Sequence, residues 1–233
     1  MQLSDTNVYQ VPIHFRLSRP ILKTVFRGIF HLLANVKVAG KENVPYGKPY
    51  IVAMNHISIF DPPFAGAFWP EQLEIIGASD VFDKPSQAWL LRGYGVIPVH
   101  RGDYDRVLLT KIIRIIKSGS PLLIAPEGGR SHVPAMRRAK PGIAYLVEQT
   151  GVPVLPAGLI GTTEDFWQRA KRGDRPSLEM RIGRPIFLPE ITSKGTERHA
   201  ARQKNADLVM SHLAGLLPEE YRGVYAESAI LPA

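Results

Sequence analysis

The 233-residue sequence contains no cysteine. This absence excludes a disulfide framework, a thiolate zinc site and a cysteine nucleophile, and it fits a reducing compartment. The sequence also lacks a run of about 18 uncharged apolar residues and an N-terminal signal pattern, so neither a membrane-spanning helix nor an export signal is expected. Glycine-rich phosphate loops, the G-x-S-x-G serine motif and the H-E-x-x-H zinc motif are missing as well, and we expect no metal site.

Acidic residues are few relative to basic ones. The 29 lysines and arginines exceed the 21 aspartates and glutamates, which gives a formal net charge of +8. This excess favours an anionic partner, whether nucleic acid, an acidic membrane surface or a phosphorylated substrate. Nucleic acid is the least favoured, because the basic residues are spread out and no aromatic–basic stacking motif accompanies them. At 45% hydrophobic residues, the chain fits one domain with a substantial core.

Residues 16–36 have the pattern of an amphipathic helix. Apolar residues occupy most of the segment, and basic residues recur every three or four positions: Arg16, Arg19, Lys23 and Arg27. A helix here would carry one basic stripe and a broad apolar face, as a helix lying on an anionic membrane surface does. The alternative is a helix that packs on the domain core with its basic side in water. The membrane interpretation predicts a peripheral or monotopic protein on the cytoplasmic face of a membrane.

From residue 50 onward, short apolar runs alternate with helical patterns. Buried strands are predicted over residues 50–54, 73–78, 95–99, 122–125, 152–155 and 178–187, and helices over residues 103–117, 142–149 and 199–217. This alternation predicts an α/β fold with a central, largely parallel sheet flanked by helices, preceded by the N-terminal amphipathic membrane-associating helix. Turn residues mark a boundary near residue 40. We therefore predict a membrane-surface segment over residues 1–40 and the main domain over residues 41–233.

The first motif that suggests chemistry is Asn-His-Ile-Ser-Ile-Phe-Asp, residues 55–61, directly after a predicted strand. On a continuous helix, positions five apart point about 140° away from each other, so His56 and Asp61 could not easily pair. The strand end before His56, and Asp61 as the N-cap of a helix with Pro62 at its first position, bring the two within reach. A paired imidazole can act as a general base toward a hydroxyl. The alternative is a helix cap beside a surface histidine.

Two further polar motifs also follow predicted strands. Residues 95–103 read Gly-Val-Ile-Pro-Val-His-Arg-Gly-Asp and would place the guanidinium of Arg101 at the sheet edge, where it could bind a phosphate. Residues 125–131 read Ala-Pro-Glu-Gly-Gly-Arg-Ser, in which Glu127 and Arg130 bracket two glycines that let a ligand approach the backbone. The alternatives are a solvated loop arginine and a plain tight turn.

A fourth segment, Val-Pro-Val-Leu-Pro-Ala-Gly at residues 152–158, is by itself an ordinary apolar strand. In this order and at about these intervals, the four segments resemble the glycerolipid acyltransferase family, which includes the 1-acyl-glycerol-3-phosphate acyltransferases. The resemblance spans roughly residues 50–161, about half of the chain. Four ordered blocks are far more specific than any one of them.

The resemblance implies transfer of an acyl group from acyl-CoA or acyl-carrier protein, as co-substrate without a cofactor, to the free hydroxyl of a lysophospholipid. The expected acceptor is 1-acyl-glycerol-3-phosphate, which would give phosphatidic acid in phospholipid biosynthesis. The resemblance further implies that His56 removes the hydroxyl proton, that Asp61 orients His56, and that transfer is direct, through a tetrahedral oxyanion. The residues implied in binding the substrate are Asn55, Ser58, Arg101, Glu127, Gly128, Gly129 and Arg130.

Three positions depart from the family pattern. Ala125 stands where an aromatic residue is common, Gly129 where threonine is common, and His100 where aspartate is frequent. Another lyso-lipid acceptor is therefore an open alternative. A second alternative is a non-catalytic lipid-binding protein of the same fold, although binding alone would need neither His56 nor Asp61. The same pair could also hydrolyse the donor, unless an apolar acyl channel excludes water.

Overall fold

The computed structural model describes residues 8–100, 105–131 and 133–232. Within these ranges the chain forms a seven-stranded sheet with helices on both faces. The strands are β1 (Asn35–Ala39), β2 (Ile51–Met54), β3 (Glu74–Ala78), β4 (Ile97–Val99), β5 (Leu122–Ile124), β6 (Val154–Ile160) and β7 (Ser177–Ile182). The helices are α1 (Ile13–Leu33), α2 (Asp61–Phe68), α3 (Pro85–Tyr94), α4 (Arg106–Lys117), α5 (Gly142–Thr150), α6 (Phe166–Lys171) and α7 (Gly195–Gly215).

The strand order across the sheet is β1-β7-β6-β2-β5-β3-β4. Neighbouring strands are parallel except β6 and β7, so β1 and β7 run against the other described strands. Both faces are covered, as a largely parallel sheet requires. Strand β2 shows this directly, because Ile51 and Ala53 enter one hydrophobic core while Val52 and Met54 enter the other. The predicted α/β fold with a largely parallel sheet is confirmed.

Several element boundaries differ from the prediction. The predicted strand at residues 152–155 extends to Ile160, and the one at residues 178–187 ends at Ile182. The sequence did not predict β1, α3 or α6. Strand β1 was missed because it is short and none of its side chains is fully buried, which leaves a weak apolar signal. Residues 35–39, assigned to the membrane-surface segment, therefore belong to the sheet, where they pair with β7.

Three of the four predicted basic residues of helix α1 bond to the domain, whereas the packing alternative had placed the basic side in water. Arg19 is 2% exposed and forms two hydrogen bonds with the carboxylate of Glu74, at 2.6 and 2.9 Å. The side chains of Lys23 and Arg27 donate to backbone carbonyls at and just after the end of α2, namely those of Ala67, Trp69, Pro70 and Glu71. The last carbonyls of a helix lack partners within it and carry the negative end of its dipole, so they attract cations.

Helix α1 has two apolar sides: one packs on the domain through Phe30, and the other is exposed. Its apolar stripe consists of residues spaced three or four apart that are 42% to 76% exposed: Ile13, Leu17, Ile21, Val25, Ile29 and Leu32. The predicted membrane contact stays a prediction, and these apolar residues, rather than the cations, are the ones placed to make it. In the described part of the chain, no helix combines the length and the apolar character that crossing a membrane requires.

Arg19→Ala should lower the free energy of unfolding by about 3–5 kcal/mol, because the substitution leaves the carboxylate of Glu74 buried without its cation. Urea unfolding at neutral pH measures the change. Arg16→Ala removes the same charge from an exposed position of the same helix, and its effect should stay within about 0.5 kcal/mol. Equal effects of the two substitutions would contradict the importance of the buried pair.

Candidate active site

The carboxyl ends of β2 and β5 lie side by side, and the chain leaves them toward opposite faces of the sheet. Strand β2 leads into α2, which packs in one core, whereas β5 leads toward α5, which packs in the other. Such a divergence opens a crevice at the sheet edge, where ligands bind in α/β proteins. Because residues 55–61 follow β2 and residues 125–131 follow β5, the fold brings both motifs to this crevice.

His56 and Asp61 are paired. Nδ1 of His56 lies 2.9 Å from Oδ2 of Asp61, and the backbone N–H groups of Ile57 and Ser58 donate to the same oxygen, each at 2.7 Å. The hydroxyl of Thr162 donates to Oδ1 of this fully buried carboxylate. Asp61 is thus held as an acceptor, so Nδ1 of His56 carries the proton of the neutral imidazole. Nε2, on the opposite side of the ring, is left as the basic nitrogen.

Asp61 does not cap its helix as the sequence predicted. It is the first residue of α2, the N-cap position is held by Phe60, and no side chain caps this helix. The carboxylate points backward instead, because the loop N–H groups of Ile57 and Ser58 and the His56 ring supply its donors. The predicted proximity of His56 and Asp61 is observed. It arises because the carboxylate of Asp61 points toward the loop that precedes α2.

Glu127 connects the two motifs. Its side chain is buried; Oε1 accepts from the backbone N–H of His56 at 2.9 Å, and Oε2 accepts from the backbone N–H of Arg137 at 2.8 Å. Burial raises the pKa of Glu127, while these two backbone donors and the charge of Arg137 act in the opposite direction. Each oxygen accepts from a backbone N–H, so Glu127 fixes the backbone of His56; its predicted part in binding substrate stays a prediction.

Asn55 and Ser58 also belong to the support of the loop. Asn55 is fully buried; its Nδ2 donates to the carbonyl of Leu159 at 2.9 Å, and its Oδ1 accepts from the N–H of Leu159 at 2.7 Å. Ser58 is 4% exposed, and its Oγ accepts from the N–H of Phe60 at 3.3 Å. Buried polar groups need such partners. Both side chains therefore stabilise the loop, and the substrate contacts predicted for them stay predictions.

A groove of about 490 Å³ opens beside His56. Gly128, Gly129 and Arg130, predicted to bind substrate, line it together with His56 and Lys140, and these residues form its polar end. Much of the remaining lining is apolar and comes from α1, β3, α3 and the turn after α3, including Leu22, Phe26, Ile76, Leu90, Leu91 and Val96. Such a groove can hold an acyl chain with its polar end at His56. Arg101 lies outside the described residues.

Lys140 is a groove residue that sequence reasoning missed. Its side chain crosses the loop at Gly128, whose φ of +72° favours glycine, and a Cβ there would come within 2.8 Å of Cδ and Cε of Lys140. Gly128 therefore leaves room for Lys140 to reach the groove. The available signal was the position of Lys140 just before the predicted helix at residue 142. Among the described residues, no group of histidine, aspartate and glutamate side chains could hold a metal ion.

Comparison with known proteins places this site in a family. The family model named Acyltransferase matches residues 35–160, more than half of the chain, and the chain belongs to this family. A chloroplastic 1-acyl-sn-glycerol-3-phosphate acyltransferase of Brassica napus is 29% identical over 128 residues, which cover 54% of this chain and 37% of that protein. A 1-acyl-sn-glycerol-3-phosphate acyltransferase of Pseudomonas aeruginosa is 25% identical over 201 residues, 84% of this chain and 75% of that protein.

The fold is shared with a solved structure. The crystal structure of the 1-acyl-sn-glycerophosphate (LPA) acyltransferase PlsC from Thermotoga maritima matches with a TM-score of 0.61 at 22% identity, covering 84% of this chain and 79% of that chain. The family and the fold that the resemblance implied are therefore confirmed. The chain spans little more than a third of the Brassica napus relative.

Glu127→Gln should lower the free energy of unfolding by about 1–3 kcal/mol, because the amide NH₂ would face one of two backbone N–H donors and leave it unpaired. Urea unfolding measures the loss. Glu197→Gln, in the exposed first turn of α7, is the control and should change the same quantity by less than about 0.5 kcal/mol. A Glu127→Gln protein as stable as the unaltered one would contradict the support described for His56.

Proposed function

We propose that the protein transfers a fatty acyl group from an acyl thioester to the free hydroxyl of 1-acyl-sn-glycerol-3-phosphate, giving phosphatidic acid. The observation that carries the proposal is the pairing of His56 with the buried carboxylate of Asp61 at the polar end of an apolar groove. The names of the Brassica napus and Pseudomonas aeruginosa relatives support the choice of acceptor. General-base catalysis uses the pairing of His56 with Asp61, whereas lipid binding alone does not need it.

In the proposed reaction, Nε2 of His56 takes the proton of the acceptor hydroxyl while the hydroxyl oxygen attacks the thioester carbonyl carbon. The tetrahedral intermediate carries its negative charge on the former carbonyl oxygen. Its collapse breaks the carbon–sulfur bond and leaves the new ester, and the departing thiolate takes the proton back from the imidazolium of His56. Asp61 holds the ring in place and stabilises its charged form throughout.

The apolar end of the groove suits the acyl chain of the donor, and the polar end suits the phosphate of the acceptor. Apolar side chains such as Phe26 and Leu91 would surround the acyl chain and keep water from the thioester, which favours transfer over hydrolysis. At the polar end, the guanidinium of Arg130 suits the phosphate of the acceptor, and Gly128 and Gly129 let that phosphate approach the backbone. For Arg101 we keep the same proposed role in binding phosphate.

His56→Ala should lower kcat for acyl transfer at least about a thousandfold, because no other group then takes the hydroxyl proton. Initial rates with palmitoyl-CoA and 1-acyl-sn-glycerol-3-phosphate in detergent measure this. His100→Ala is the matched control: His100 lines the same groove but bonds to the hydroxyl of Ser79, and its loss should change kcat less than about tenfold. Full turnover by His56→Ala would overturn the mechanism, and so would equal losses in both variants.

We also propose that the apolar stripe of α1 rests on a membrane surface, with the protein attached peripherally on the cytoplasmic face. The acceptor is itself a lipid. Helix α1 lines the groove with Leu22 and Phe26 while its apolar stripe is exposed. Only helix α1 would therefore separate the groove from a bilayer that touches the apolar stripe.

Replacing Leu17 and Ile21 together with glutamate should weaken binding to phosphatidylcholine vesicles at least about a hundredfold, because burying each such side chain contributes about 1.5–3 kcal/mol. Vesicle co-sedimentation measures the change. The control replaces Phe187 and Val224, which are 74% and 67% exposed outside α1, with glutamate and should leave binding unchanged. Equal weakening by both pairs, or by neither, would refute the assignment to α1.

A further inference from the structure

Basic side chains continue from the polar end of the groove onto the neighbouring surface of α7. Lys140 lines the groove, and Nη2 of Arg137 donates to the carbonyl of Gly129 at 2.5 Å. Between these two residues, the carbonyl of Ala139 accepts from Nε2 of Gln203 on α7, at 2.9 Å. Residues 137–140 therefore touch the groove on one side and α7 on the other.

A shallow depression of about 590 Å³ lies between this segment and α7. Its lining consists of Arg138, His199, Ala200, Gln203, Lys204 and Asp207. The side chain of Arg138 is 71% exposed, and His199 and Lys204 are exposed as well. The depression therefore presents its cations to solvent, where an anionic ligand could reach them.

The acidic groups around this depression have partners. Asp207 lies 3.6 Å from Arg138 and accepts from the hydroxyl of Tyr225 at 2.6 Å. On the neighbouring helix α5, Glu148 is bonded to both Arg198 and Arg202 of α7. The positive charge of the depression is therefore only partly compensated, and the surface favours an anion.

The depression lies close to the polar end of the groove, which is where the carrier of an acyl donor would leave the site. With the acyl chain in the apolar groove and the thioester at His56, the rest of the donor has to exit through the polar end. Arg138 and Lys140 are two residues apart, so their Cα atoms are at most about 7 Å from each other. A lining residue of the depression therefore lies next to a lining residue of the groove. In an acyl-CoA, the part that emerges there ends in an adenine nucleotide rich in phosphate.

We propose that this depression binds the adenosine 3′-phosphate 5′-diphosphate end of an acyl-CoA. Arg138 and Lys204 pair with its phosphates. Gln203, whose Nε2 donates to the carbonyl of Ala139 and to Oδ1 of Asp207, holds the wall of the depression in place. The concave shape suits a nucleotide better than the broad face of a carrier protein. This inference rests on the proposed acyl transfer and names CoA as the carrier of the donor.

The first experiment compares two donors in a double variant, Arg138→Glu with Lys204→Glu. The KM for palmitoyl-CoA should rise about tenfold or more with little change in kcat, because the lost contacts lie far from the reacting atoms. The KM for S-palmitoyl-pantetheine, which has neither phosphate nor nucleotide, should stay the same. Lys41→Glu with Lys48→Glu is the control, since these exposed lysines lie between β1 and β2, toward the amino end of β2; it should change neither KM.

The second experiment measures equilibrium binding of unacylated CoA, and of adenosine 3′,5′-bisphosphate, to the full chain. Both should bind the unaltered protein and the control, and both should bind the double variant at least about tenfold more weakly. Unchanged CoA binding in the double variant would overturn the proposal, as would an equal rise in KM for both donors, or transfer from acyl-carrier protein alone. Weakened CoA binding without transfer from any donor would keep the nucleotide site and refute the proposed function.

Discussion

The buried carboxylate of Asp61 determines the shape of the site. Burying a charge without hydrogen bonds costs several kcal/mol or more, so the chain around Asp61 has to present donors to it. These donors come from the loop after β2, from the ring of His56 and, through Thr162, from the chain after β6. The conformation that satisfies the carboxylate is the same one that fixes the imidazole. The orientation of His56 is therefore a consequence of stabilising a buried charge.

The second buried carboxylate extends this arrangement. Glu127 binds the backbone of His56 on one side and that of Arg137 on the other, and Asn55 joins the same loop to β6 through Leu159. Among the described residues, every buried side-chain nitrogen or oxygen has a partner, as a rigid polar site requires. The polar residues of the two motifs therefore have two different roles. Some support the loop from behind, while His56 and Arg130 face the groove.

The sequence predicted where the motifs lie better than where their side chains point. Apolar runs followed by polar residues identify the carboxyl edge of a parallel sheet, and both motifs are found there. The side chains of Asn55 and Glu127 turn inward because their partners, Leu159 and Arg137, come close only in the folded chain. Helix α1 shows the same limit: periodicity predicts two stripes, but Glu74 and the carbonyls ending α2 decide which stripe faces the domain.

The most direct test of the central claim follows all three products of one reaction. Purified protein is incubated with palmitoyl-CoA and 1-acyl-sn-glycerol-3-phosphate, and free thiol, phosphatidic acid and free palmitate are quantified together. Acyl transfer by His56 predicts equal amounts of thiol and phosphatidic acid and no palmitate. Thiol released with palmitate in place of phosphatidic acid would show a hydrolase, and no thiol release from protein that still binds the lipid would show binding without catalysis; either result would contradict the account.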